Sequence, residues 1–225
     1  ENNGGEDESY VVMKKALING WRDLWGRGDF PFYFAQISSI NQPTPDNPAG
    51  GGNFVPVRNA QLRSLVITNT GMAVTIDLNE TADLHPDNKK DVGERLALWA
   101  LANDYGRDIE CSGPVFREQK TEGNTIRLFF DHTGGGLMVG RKEGLKPAEE
   151  VVDGELKHFA VAGSDMNWRW ADAVIDGDTV VVSSPDVPEP TVVRYAYAAN
   201  PATANLYNRA GLPASPFTTE EGKNW

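Results

Sequence analysis

The order of periodic segments predicts an α/β layer fold with a mostly parallel sheet over residues 1–110, followed by a β-rich accessory region with an extended tail over residues 111–225. Three observations carry this. Helical and strand patterns alternate along the first hundred residues. The two strand patterns there are continuous apolar runs, as in strands covered on both faces. Beyond Cys111 the texture changes to short strand patterns separated by turn signals.

Residues 6–25 read as a helix. Tyr10, Met13, Leu17, Trp21 and Leu24 recur at three- and four-residue spacing and share one face. Glu6, Asp7 and Glu8 sit where the helix dipole favours negative charge, Ser9 can cap, and Gly26 and Gly28 end the helix. Residues 30–37 form an aromatic-rich apolar run that predicts a buried strand. Residues 41–56, with Pro43, Pro45, Pro48, Pro56 and three successive glycines, predict a long loop at the rim of a cleft. A second helix is expected over 57–65, a second buried strand over 72–78, and a clear helix over 88–105 with Val92, Leu96, Trp99 and Leu101 on one side.

In the second half, residues 126–130, 158–162, 171–175, 179–182 and 192–197 are strand candidates. Asp176-Gly177-Asp178 reads as a hairpin turn, as does Glu122-Gly123-Asn124, and Gly134-Gly135-Gly136 reads as a hairpin tip. Residues 198–225 lack period and predict a tail laid over the surface.

Composition excludes some classes. The formal net charge is −11, which disfavours nucleic acid or an anionic membrane as partner, since both select a basic face. No apolar run approaches the roughly 18 residues of a membrane span. The single cysteine, Cys111, rules out an intrachain disulfide. Glu1-Asn2-Asn3-Gly4-Gly5 shows neither an initiating methionine nor a signal-peptide pattern, consistent with a chain that starts within a longer one.

The stretch Thr81-Ala82-Asp83-Leu84-His85-Pro86-Asp87-Asn88 holds one of three histidines, two residues after an aspartate, between an apolar run and a helix. Histidine has the right pKa for a general base at neutral pH, and a carboxylate holds its tautomer. In an extended loop a spacing of two lets both side chains face the same way; taken alone, the spacing equally describes a solvated loop histidine. His132 and His158 have no second His, Cys or carboxylate at ligand spacing, so no zinc site is expected. Gly163-Ser164-Asp165 lacks the strand–turn–helix setting of a nucleophile elbow. Ser9, Ser38, Ser39 and Ser64 stand in ordinary contexts, and no nucleophile is evident. Trp168 and Trp170, at alternate positions, suit either sugar stacking or core packing.

Several blocks together resemble the carboxyl-terminal portion of sialate O-acetylesterase-like proteins, in the SGNH hydrolase superfamily. They are Gly28-Asp29-Phe30-Pro31-Phe32-Tyr33-Phe34, Asn69-Thr70-Gly71-Met72-Ala73-Val74-Thr75-Ile76-Asp77, Asp83-Leu84-His85-Pro86-Asp87-Asn88-Lys89, Val92-Gly93-Glu94-Arg95-Leu96-Ala97, Val193-Arg194-Tyr195-Ala196 and Gly211-Leu212-Pro213-Ala214-Ser215-Pro216-Phe217. The resemblance implies that residues 1–110 are the second half of an SGNH-hydrolase-like three-layer domain. It implies a serine-dependent carbohydrate acetylesterase without metal or organic cofactor, acting on an acetylated sugar and secreted or periplasmic. The family's serine lies in an earlier block, so it is expected on an upstream segment or partner chain. His85 matches the family's base. Glu1-Asn2-Asn3 resembles the end of a Gly-Glu-Ser-Asn block, with Asn2 where serine is usual and Asn3 in the oxyanion role. The wider superfamily places its acid three residues before the histidine, here Ala82; Asp83 suits this subfamily, with Asp77 and Glu80 as alternatives. The competing expectation is a non-catalytic carbohydrate-binding or structural β module using Trp168 and Trp170.

Overall fold

The structure is a computed structural model that describes residues 8–78 and 83–220. Helix α1 (Glu8–Trp25) is followed by strand β1 (Phe32–Ala35), helix α2 (Val55–Arg63) with a 3₁₀ turn (Ser64–Val66), strand β2 (Thr70–Ala73) and helix α3 (Lys89–Asn103). β1 and β2 pair in parallel, Phe32 with Thr70 through Ala35 with Ala73. Arg22, near the end of α1, ties the starts of both strands by donating to the carbonyls of Phe30 and Thr68, each at 2.8 Å. Asn88 caps α3, its side-chain oxygen accepting from the Asp91 amide at 3.1 Å. α3 packs tightly on β2: a Cβ on Gly71 would lie 2.3 Å from the Trp99 ring, whose indole N–H donates to the Met72 carbonyl at 3.1 Å.

The remaining strands, in chain order, are β3 (Val115–Glu122), β4 (Thr125–Asp131), β5 (Leu137–Arg141), β6 (Glu149–Glu150), β7 (Phe159–Ala162), β8 (Arg169–Trp170), β9 (Asp172–Asp176), β10 (Thr179–Ser183), β11 (Val192–Tyr195), β12 (Leu206–Asn208) and β13 (Phe217–Thr218). They form three antiparallel sheets, ordered β3-β4-β10-β9, β13-β11-β7-β8 and β12-β5-β6. Ile126, Leu128 and Phe130 on β4 alternate with less buried residues, as do Val180 and Val182 on β10, so this sheet has one core face. Asp176 pairs with Thr179 and Glu122 with Thr125, so both expected hairpins close through two-residue turns. The glycine that opens each turn, Gly123 or Gly177, has positive φ. One apolar cluster joins Leu62, Met72, Val74 and Ile76 to Phe116, Leu128, Phe159, Tyr195 and Phe217.

The α/β three-layer expectation is overturned. Among the described residues the sheets are small and the strands mostly antiparallel, with three α-helices and a single two-stranded parallel pair. The apolar runs misled because burial does not require a ladder. The 72–78 run stops pairing at Ala73, yet Val74, Ile76 and Leu78 stay buried in irregular chain. Two further expectations are corrected. The tail is not a surface strap: Leu206, Tyr207, Ala214 and Phe217 are buried, and β12 and β13 pair with β5 and β11. Gly134-Gly135-Gly136 is not a hairpin tip, because the strands it links, β4 and β5, belong to different sheets.

Candidate active site

Beyond their last paired residues, the chains leaving β1 and β2 stay side by side through one backbone and two side-chain hydrogen bonds. The Gln36 amide donates to the Ala73 carbonyl at 2.8 Å, Thr75 Oγ1 to the Gln36 carbonyl at 2.6 Å, and Ser38 Oγ to the Thr75 carbonyl at 3.0 Å. α2 supports them from one side. Gln61 Oε1 accepts from the Ile37 amide at 2.8 Å. Arg58, almost wholly buried, donates to the carbonyls of Ile37, Ser38, Ala198 and Ala199, so it clips this edge to the chain after β11. Burial lowers the Arg58 pKa to about 10, which leaves it charged at neutral pH.

This edge opens into a cleft of about 420 Å³ whose lining includes Gln36, Ser38, Gln61, Thr75, His85 and Lys89. His85 enters on the segment leading into α3. Its backbone N–H donates to Asp83 Oδ1 at 2.8 Å, and its ring Nδ1 lies 2.8 Å from the same oxygen. The carboxylate is thus set by the backbone and offered to the ring. The His85 amide, and after it the ring, hold the Asp83 carboxyl below its ordinary pKa, so it is anionic at neutral pH. An anionic acceptor at Nδ1 selects the tautomer protonated there and makes Nε2 the basic nitrogen. Lys89 Nζ donates to the Pro86 carbonyl at 2.6 Å, which fixes the loop to the first turn of α3. The His85 and Asp83 side chains are 62 % and 59 % exposed.

Asp77 is engaged elsewhere. It forms a buried bidentate pair with Arg95 at 2.6 and 2.7 Å and accepts from the Tyr207 hydroxyl at 3.1 Å. Burial, with the Asp77 carboxylate second, holds the Tyr207 phenol well above its ordinary pKa, so it stays a donor. Asn2, Asn3 and Glu80 lie outside the described residues. Of the tryptophan pair, Trp168 is buried with the Arg194 guanidinium 4.1 Å from its ring centre, whereas Trp170 is partly exposed and donates to the Pro45 carbonyl. The sequence reading missed Gln36, Ser38, Gln61 and Thr75 as cleft residues. Their signal was available: polar side chains sit at the ends of apolar runs, where backbone groups leaving a ladder need partners.

A second group of reactive side chains gathers away from this cleft. A carboxylate oxygen of Glu110, Sγ of Cys111 and a ring nitrogen of His132 all lie within 4.8 Å of one another. His132 therefore does have partners of metal-ligating type, contrary to the expectation from spacing.

No protein-family model matches this sequence, and no curated protein matches it. A solved structure of a carbohydrate acetylesterase from Xanthomonas citri is similar to this chain. The two share 35 % sequence identity at a TM-score of 0.81. The similarity covers 95 % of this chain and 46 % of that protein, so this chain spans less than half the length of its neighbour. At this identity the likeness goes beyond fold alone.

Proposed function

We propose that this chain is the carboxyl-terminal portion of a serine-dependent carbohydrate O-acetylesterase, of the sialate O-acetylesterase-like kind, whose nucleophile lies on an upstream segment or partner chain. The observation that carries the reading is the His85–Asp83 pair, joined at 2.8 Å, with His85 on the wall of a cleft at the ends of β1 and β2. An exposed polar pair of this kind adds little stability, so stability does not account for its double anchoring. The acetylesterase neighbour supports the reaction class.

In the proposed mechanism the serine hydroxyl attacks the acetyl carbonyl while His85 Nε2 takes its proton. Asp83, already anionic, accepts from Nδ1–H and stabilises the imidazolium. Asn3 donates to the tetrahedral oxyanion, a contact typically worth about 3–4 kcal/mol. His85 then returns the proton to the departing sugar oxygen. Water, activated by the same imidazole, hydrolyses the acetyl-enzyme to acetate. The substrate is an acetylated sugar, such as an O-acetylated sialic acid, met in a secreted or periplasmic compartment.

Support for an upstream partner comes from α1. Its apolar stripe of Met13, Leu17, Trp21 and Leu24 is exposed, while Lys14, Ile18 and Arg22 are the residues buried. A helix that turns its apolar stripe outward fits one whose cover is another segment.

In the complete protein, His85→Ala is expected to lower turnover of an aryl acetate by about 10⁴-fold or more with an unchanged unfolding transition. Near-normal turnover sinks the reading. This chain by itself is expected to be inactive, and a serine-directed covalent probe is expected to label the upstream segment. Sugar binding without any labelled serine would favour the non-catalytic β module instead.

A further inference from the structure

We propose that Glu110, Cys111 and His132 form a zinc site that stabilises the junction between α3 and the β-rich sheets. This inference is independent of the esterase reading. A thiolate, an imidazole and a carboxylate are the donor types that zinc takes, and the thiolate selects against magnesium and calcium. The three ligand atoms already lie within 4.8 Å of one another. Tetrahedral zinc spaces its ligands by roughly 3.3–3.7 Å, so small side-chain rotations close the site.

The ligands come from two segments of the chain, Glu110-Cys111 after α3 and His132 after β4. Glu110 Oε1 accepts from His132 Nδ1 at 2.8 Å and from the Cys111 amide at 3.1 Å, which aims the carboxylate at the ring. His132 directly follows β4, takes a left-handed backbone conformation (φ 59°), and packs edge-on against Trp99 of α3. Asn208 of β12, fully buried, donates to the carbonyls of both Ser112 and His132 at 2.8 and 2.9 Å. One amide thus locks together the two backbone segments that bear the ligands, the kind of outer support that metal sites use.

The rival use of the same trio is a cysteine nucleophile with a histidine base. Cys111 is buried, which closes its thiol to a substrate. Glu110 and His132 are partly exposed, so an ion can enter from their side and keep one position for water.

The test titrates the untagged full chain with cobalt(II) and then zinc(II). One equivalent of cobalt is expected to give a thiolate-to-cobalt charge-transfer band, and zinc is expected to abolish it. Zinc at about a hundredfold over Kd is expected to raise Tm by roughly 5–10 °C, with no such shift from magnesium. Cys111→Ser is expected to lose the band, and His132→Asn to weaken binding at least tenfold, both with the fold checked by circular dichroism. A folded wild-type chain without the band overturns the proposal whatever the variants do. So does zinc affinity unchanged in both variants, or rapid alkylation of Cys111 that zinc does not slow.

Discussion

The two ends of this molecule use apolar residues in opposite ways. In the antiparallel sheets they turn inward: Ile126, Leu128, Val180 and Val182 are fully buried, and Phe116 stacks on Phe217 with ring centres 4.7 Å apart. On α1 they turn outward, with Leu17 52 % and Leu24 78 % exposed, while a lysine and an arginine are buried beneath. The β-rich part covers itself; α1 lies over its own neighbours yet leaves its apolar stripe bare. The lesson is that periodicity identifies a face that wants cover without saying which polypeptide supplies it.

The sharpest way to break this contrast is a pair of truncations. Phe217→Ala empties space among Phe116, Phe130 and Tyr195 and is expected to cost about 3–5 kcal/mol in urea unfolding. Leu17→Ala in the same chain is expected to change stability by less than about 0.5 kcal/mol. Where the proposed upstream segment covers the stripe in a longer protein, Leu17→Ala is expected to cost roughly 1–3 kcal/mol. Equal effects of Leu17→Ala in the chain and in the complete protein would remove the argument for a covering segment.

Within the amino-terminal part, the tight contact is between α3 and β2. Gly71→Ala would place a methyl against an indole that is held by its hydrogen bond to Met72, so the ring has little room to retreat. Overpacking of this kind is expected to cost about 2–3 kcal/mol. Gly71→Ala combined with Trp99→Leu is expected to lose less than the sum of the two single changes, because the smaller side chain admits the methyl. A double variant that is additive would show that Trp99 does not set the requirement for glycine.

Part of this architecture is legible in the sequence. The first and third helices stood out because their apolar residues repeat at helical spacing and a glycine follows each; the second, expected over 57–65 and found at Val55–Arg63, has no side-chain cap and is buried all round, so its bounds were not legible. The hairpins at Gly123 and Gly177 stood out because positive φ selects glycine there. β3 did not, since Arg117, Glu118, Lys120 and Glu122 dilute its pattern on an exposed face. The tail did not, since it contributes pieces of two and three residues, too short to show a period. For the candidate site, the pairing of His85 with Asp83 was legible because both lie on one loop. The cluster of Glu110, Cys111 and His132 was not, because only pairing through β4 and the Asn208 bridge brings its members together. Layer architecture failed for a further reason: a continuous apolar run reports burial on both sides, and packed irregular chain satisfies that as well as a parallel strand does.

A smaller expected effect is also the most selective, because it reads the helix from its buried side. Lys14 Nζ lies 3.0 Å from the centre of the Phe34 ring, and burial pushes its pKa down to about 7. The unfolded chain titrates near 10.4. Above that pH both states carry a neutral amine and burial costs nothing. As pH falls toward 7 the unfolded chain gains a proton that the folded chain resists, so stability is lost across this window; below it both states are charged and the loss is complete. The ring face returns about 0.5–2 kcal/mol to the charged form, which offsets part of the penalty. Lys14→Met is therefore expected to stabilise the chain more at pH 7 than at pH 9, by about 1–2 kcal/mol in paired denaturant titrations. A gain of equal size at both pH values would mean that Lys14 keeps its charge through this range, and that α1 buries an aliphatic stem with its ammonium still in water.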